Sequence, residues 1–262
     1  MTLEPVTRPD AKRRLSHLVD DLAKHVDNLR EEGITEVACS RTIASESLPA
    51  PAVPPAPSVS DTDVSAELKA IAQEIAACKK CGLHKTRRQA VPGQGNLHPD
   101  ILFIGEGPGE DEDKQGLAFV GRAGQLLTRL ITRMGYTRDD VFIANIVKCR
   151  PPGNRKPLPD EMATCFPYLK AQITMLNPKV IVALGAAAVE TLVSPLAQIS
   201  RTRGIWQTFG DIPLMPTYHP SYLLRNQSAM WDVWNDMQQV LKRLGRTPPP
   251  APGSACSVSR KA

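Results

Sequence analysis

Four short, mostly apolar runs punctuate the chain, and between them apolar residues recur three and four apart. The runs are Ile101–Ile104, Val141–Val147, Val180–Leu184 and Ile212–Thr217. Near-continuous apolar stretches of this length suit strands buried on both faces of a parallel sheet. The intervening segments have helical period. Leu68, Ile71 and Ile75 share one face before Cys78, and Leu126, Leu127, Leu130, Ile131 and Met134 form a second stripe. A third helix, opened by Pro159, carries Met162, Cys165, Phe166, Leu169 and Ile173, with a kink or broken turn predicted at Pro167. GAAAVETLV follows the third strand, and a last helix over 228–244 buries Met230, Trp234, Met237, Leu241 and Leu244. Strands alternating with helices predict an α/β chain folded as a three-layer α/β/α sandwich on a parallel sheet. Its ligand site falls at the carboxyl ends of the strands.

The flanks read differently. Leu15, Leu18, Val19, Leu22, Val26 and Leu29 mark an amphipathic helix within an N-terminal extension, residues 1–40. Residues 41–64 turn to Pro, Ala and Ser, a linker without a core of its own, and 246–262 read as a disordered tail in which Cys256 is incidental. The folded domain is therefore expected over 65–245. A chain of 262 residues, 42% hydrophobic and 23% charged, supports one sizeable domain plus extensions. It has no apolar run of about 18 residues to span a membrane. Glu4, Asp10, Asp20 and Asp21 fit neither a secretory signal nor a transit peptide. The expectation is a soluble cytoplasmic protein in a reducing setting, where six cysteines are better read as ligands than as disulfides. A formal charge of +5 points mildly to a polyanionic partner.

Two constellations carry candidate chemistry. The first is GEGPGEDEDKQGLAFVG, residues 105–121, directly after the first strand. Gly105, Gly107 and Gly109 let the backbone turn sharply and approach a ligand closely. The carboxylates Glu106, Asp111, Glu112 and Asp113 argue against a phosphate cradle, because like charges repel. The second is Cys78-x2-Cys81 followed by Cys149-x15-Cys165. Four thiolates complete a shell for zinc or for an iron–sulfur cluster, and spacing does not choose between them. Such a site would staple the helix before Cys78 to the 149–165 segment. Cys149 stands four residues past Asn145, so the staple supports the strand end that aims that amide.

The acidic turn with FVGRAG, the four cysteines and His219-Pro-Ser-Tyr-Leu-Leu-Arg225 together resemble the iron–sulfur uracil-DNA glycosylases, family 4 of that superfamily. The resemblance covers residues 66–244. It implies a four-stranded parallel sheet between helices, a [4Fe–4S] cluster on Cys78, Cys81, Cys149 and Cys165, and excision of uracil from DNA by a monomer. By motif position, Phe119 is the ring on which a flipped uracil stacks and Asn145 the amide that reads its edge. Glu106, Gly107 and Pro108 line the base. His219 donates to the departing O2, and Glu106 orients the attacking water. Leu223 or Leu224 is the wedge that replaces the flipped base. Ser221, Arg225 and the basic loop Lys148–Lys156, with Arg150, Arg155 and Lys156, hold the phosphates. A related branch traps uracil covalently through a histidine in a basic loop near the fourth strand. The corresponding Ser200–Trp206 here has none, and Gly107 stands where that branch has glutamine, so turnover is predicted. The rival expectation is a non-catalytic or uracil-trapping DNA-binding module stapled by its metal.

Overall fold

A computed structural model of the protein describes residues 61–249, all within one compact unit, Pro57–Ala262. The expected N-terminal helix, most of the linker and most of the tail lie outside the described residues. Helix α1, Asp61–Ala77, begins inside the segment read as linker and buries Val64, Ile71 and Ile75. Strands β1 (Gln94–Gly95), β2 (Ile101–Gly105), β3 (Phe142–Asn145), β4 (Val180–Leu184), β5 (Gln207–Phe209) and β6 (Ile212–Thr217) form one sheet in the order β1-β3-β2-β4-β6-β5.

The expected four-stranded parallel sheet is thus its centre alone. β3, β2, β4 and β6 are parallel neighbours, while β1 and β5 add antiparallel edges. Ile101–Gly105 and Val180–Leu184 are buried at every position, as their unbroken apolar runs demand. Each face of the sheet carries its own core. One gathers Leu102, Ile104, Ala144, Leu169 and Ile173 under α1 and the helix Pro159–Leu176, and the other gathers Phe103, Ile143, Leu127, Trp234 and Met237.

After β2 come α2 (Glu110–Gln115) and α3 (Arg122–Arg133), and after β3 comes α4, Pro159–Leu176. The kink expected at Pro167 does not interrupt α4. Pro167 and Ala163, whose carbonyl loses its helical partner, both lie on the exposed side, where the carbonyl is open to solvent. α5 (Ala186–Leu192) and α6 (Ile199–Thr202) follow β4, and α7 (Pro220–Leu223) and α8 (Met230–Arg243) follow β6. Trp234, Met237 and Leu241 of α8 are buried as expected, while Met230 and Leu244 pack only at the rim.

Candidate active site

Where β2 and β3 end side by side, Gly105 pairs with Asn145. A Cβ on Gly105 would collide with the Phe119 ring and lie 2.6 Å from Asn145 Oδ1, so the missing side chain is the space in which ring and amide meet. Asn145 is 1% exposed, and its Oδ1 has no hydrogen-bond partner. The Phe119 ring stands 5.6 Å from that of His219, tilted by 37°. His219 leads into α7 and packs on Gly185, where a Cβ would come within 2.8 Å of its own Cβ. Gly185 also has φ +86°, a left-handed conformation natural to glycine.

The protonation of His219 follows from its neighbours. The Ser221 N–H donates to Nδ1 at 3.1 Å, so the neutral ring carries its proton on Nε2. Burial, opposed by Glu112 and assisted by Arg225, pulls its pKa down to about 4. A cavity of about 80 Å³ is lined by Gly107, Glu112, Phe119, Asn145 and His219. A second, of about 220 Å³, is lined by Glu106, Pro108, Pro151, Asn154 and Ser221 and shares Gly107 and His219 with the first. Burial raises the Glu106 carboxyl above its ordinary pKa, with Lys156 opposing. Another groove of about 220 Å³, between Leu126, Met230, Trp231 and Trp234, contains none of these residues.

Two carboxylates of the acidic turn, Glu112 and Asp113, are internal wiring, while Glu110 and Asp111 are exposed. Glu112 Oε1 accepts from Val120 N and Gly121 N, each at 2.8 Å, and its Oε2 accepts from Gly109 N at 3.0 Å. Asp113, 1% exposed, accepts from Arg88 N at 2.9 Å. These carboxylates are neither solvated nor free for a ligand cation.

All four candidate cysteines line one further cavity, together with Ile75, His84, Arg87, Lys148 and Tyr168. Among the described residues no three His, Cys, Asp or Glu side chains close on a point that could hold a single metal ion. Arg87 Nη1 donates to Cys149 Sγ at 2.8 Å and Lys148 N to Cys165 Sγ at 3.3 Å. Arg87 also donates to the carbonyls of Ile75, Ala76 and Cys78, so it ties the end of α1 to Cys149. Burial pushes the Cys149 thiol up and the Cys165 thiol up to about 11.

A family model described as the uracil DNA glycosylase superfamily matches residues 92–239. The chain belongs to that superfamily. It is 50% identical over 165 residues to a type-4 uracil-DNA glycosylase of Thermotoga maritima, covering 62% of this chain and 85% of that protein. Type-4 enzymes of Saccharolobus solfataricus and Sulfurisphaera tokodaii are 44% and 43% identical over 190 residues. Each of these matches spans 69% of this chain, with 88% and 86% of the respective relatives covered. The type-4 branch is the one that the motifs resemble.

Around the two cavities the expected DNA-facing residues divide. Leu223 is 2% exposed and part of the core, so it is no wedge, whereas Leu224 is half-buried and Arg225 exposed beside it. Lys148 is 1% exposed, with Nζ on Gln172 Oε1 at 2.7 Å, and cannot reach a phosphate. Arg155 is engaged by both oxygens of Glu161 at 2.8 and 2.7 Å, and Lys156 by Glu190 at 2.6 Å. Arg150 meets Asn154 at 2.7 Å and Glu110 at 3.5 Å. Sequence reasoning missed Arg138, which donates to the carbonyls of Ala118 and Phe119. It also missed Asp236, which accepts from Thr217 Oγ1 at 2.6 Å and from Arg203 at 2.7 Å beneath the strand end that leads to His219. Neither residue belongs to a motif, and both act on backbone or strand ends that a residue pattern does not display.

Proposed function

We propose that this chain excises uracil from DNA by hydrolysing the N-glycosidic bond, leaving an abasic site. Asn145 carries the reading. A buried acceptor without a donor costs about 1–3 kcal/mol, and Asn145 Oδ1 is such an acceptor in a residue that lines the cavity of about 80 Å³. Uracil supplies the missing donor at N3–H and accepts the amide NH2 at O4. Cytosine presents the opposite polarity at both positions and leaves both groups unpaired.

The remaining roles follow from position. Phe119 stacks on the extruded base while Gly107 and Glu112 close its sides. As C1′–N1 breaks, the bonding pair leaves with the base and charge gathers on O2, where His219 Nε2–H donates. One preorganised donor of this kind is worth about 2.7–4 kcal/mol. The cation-like sugar lies toward the second cavity, where Glu106 orients a water whose oxygen joins C1′. The raised pKa of Glu106 suits a carboxylate that takes up the water's proton. Leu224 fills the vacated stack, and Ser221, Arg225 and Arg150 hold the backbone. Arg155 and Lys156 join them by exchanging carboxylate partners for phosphates.

Cys78, Cys81, Cys149 and Cys165 would hold a [4Fe–4S] cluster. Four thiols around a shared cavity, with N–H donors on two of the sulfurs, fit a multi-atom group better than one ion. When bound, the cluster supplies iron–thiolate bonds that join α1 to the 149–165 segment, and no bond of the substrate passes through it. The glycosylase domain spans 65–245 together with the start of α1 and acts as a cytoplasmic monomer. Among the described residues no helix is long and apolar enough to cross a membrane.

Incubation with a labelled oligonucleotide holding one uracil tests the activity. An alkali-labile break at that position is expected, with none at cytosine or thymine. A band shift without a break would replace the enzyme by a binding module.

A further inference from the structure

Phe119 has φ +53°, a left-handed backbone that side-chain-bearing residues avoid at a cost of about 1–2 kcal/mol. Its ring nonetheless forms a wall of the base cavity, so the surroundings must hold the backbone in that state. The peptides that flank Phe119 are held by side chains from outside the loop. Gln94 Oε1 accepts from Ala118 N at 3.2 Å, and Glu112 Oε1 accepts from Val120 N and Gly121 N. On the opposite side one guanidinium reaches two successive carbonyls: Arg138 Nη2 to Ala118 O at 2.6 Å and Nη1 to Phe119 O at 3.0 Å. Arg138 Nη1 also meets Thr128 Oγ1 at 3.0 Å, and the Thr128 hydroxyl donates to Gly124 O at 3.0 Å, which ties the fork to α3. Gly124 has no side chain where one would collide with the Phe119 carbonyl. The loop is therefore clamped between an anion on its N–H side and a cation on its C=O side, each matched to the backbone dipoles it faces.

We propose that Arg138 is a positioning residue for uracil excision: its guanidinium fork fixes the peptides on both sides of Phe119 and so holds the stacking ring at the height the flipped base requires. This rests on the reading of Phe119 as the stacking platform. A planar fork bound to two carbonyls resists rotation of either peptide, which a single ammonium does not. Arg138 itself lines neither cavity, and the lining residue it hydrogen-bonds is Phe119.

The test is a double-mutant cycle on the full chain, reading kcat/KM on a uracil oligonucleotide, inhibition by free uracil and affinity for abasic DNA. Arg138→Gln is expected to lower kcat/KM about tenfold and to weaken uracil inhibition by a similar factor, leaving abasic-DNA affinity unchanged. Arg138→Lys should fall between, and in a Phe119→Ala background Arg138→Gln should cost less than about twofold. If Arg138→Gln does not fold, Thr128→Val replaces it, with a smaller loss that also vanishes in the Phe119→Ala background. An unchanged uracil inhibition constant, or an equal cost with and without the Phe119 ring, overturns the inference while leaving the platform intact. Full activity of Phe119→Ala overturns the platform and the inference with it.

Discussion

Strand β3 leads from one polar site to another, and burial serves them in opposite ways. At the base cavity it leaves groups without charge: His219 is kept neutral, and the Asn145 amide keeps an unpaired acceptor. Four residues on, at the cysteine cavity, burial raises the Cys149 and Cys165 thiols while Arg87 and Lys148 stand against their sulfurs. The first site is complete as it stands, ready for a neutral donor to meet a developing anion. The second favours thiolates only once something positively charged draws them together. One strand therefore joins a base cavity to a cysteine cavity that, on the proposed function, a cluster would complete.

That contrast is broken most severely at His219. His219→Ala should lower kcat by about 10²–10³-fold while affinity for uracil-containing DNA persists, since only the transition-state donor is lost. Single-turnover kinetics beside a binding titration check this, and near-normal turnover removes the histidine from the chemistry. Asn145→Ala should cost about 1–3 kcal/mol in kcat/KM, roughly 5–150-fold, because the edge contact is lost in ground and transition states alike.

At the other site, Cys149→Ser should abolish iron retention and the brown colour and lower the melting temperature by several degrees. Each kcal/mol lost is about 2–4 °C for a chain of this size. Excision should fall less than in either base-site variant, and an equal fall would mean that the two sites are not separable. The remaining effect is the dependence of stability on pH. The folded pKa of His219, about 4, lies below the ordinary value of 6.5, so between those values the unfolded chain binds the proton that the native one refuses. Stability should drop as pH falls from 6.5 toward 4 and level off below, and His219→Gln should flatten that slope in denaturant titrations.

Much of the fold was legible because a buried parallel strand writes itself as an unbroken apolar run. β2 and β4 are such runs, and Glu106 and Gly107 after β2, Asn145 at the end of β3 and His219 after β6 line two cavities that share Gly107 and His219. The edge strands were not: Gln94–Gly95 and Gln207–Phe209 are too short and polar to carry a period. Helix α7, four residues long, gave no phase by which to tell buried Leu223 from Leu224. Lys148 was read with its basic neighbours because charge in a sequence suggests solvent, whereas here it reaches inward to Gln172. Arg138 was invisible for a different reason. Its partners are main-chain carbonyls, and every residue has one.

The pairing of Gly105 with Asn145 also governs how such a gene can change length. Side chains alternate across a strand, so deleting one codon within Phe142–Asn145 would send the amide to the far side of the sheet while the strand stayed as greasy as before. Insertions in the segment that joins β1 to β2 shift no such parity. Descendants of this chain can therefore lengthen that connection residue by residue, but alter β3 only in steps of two.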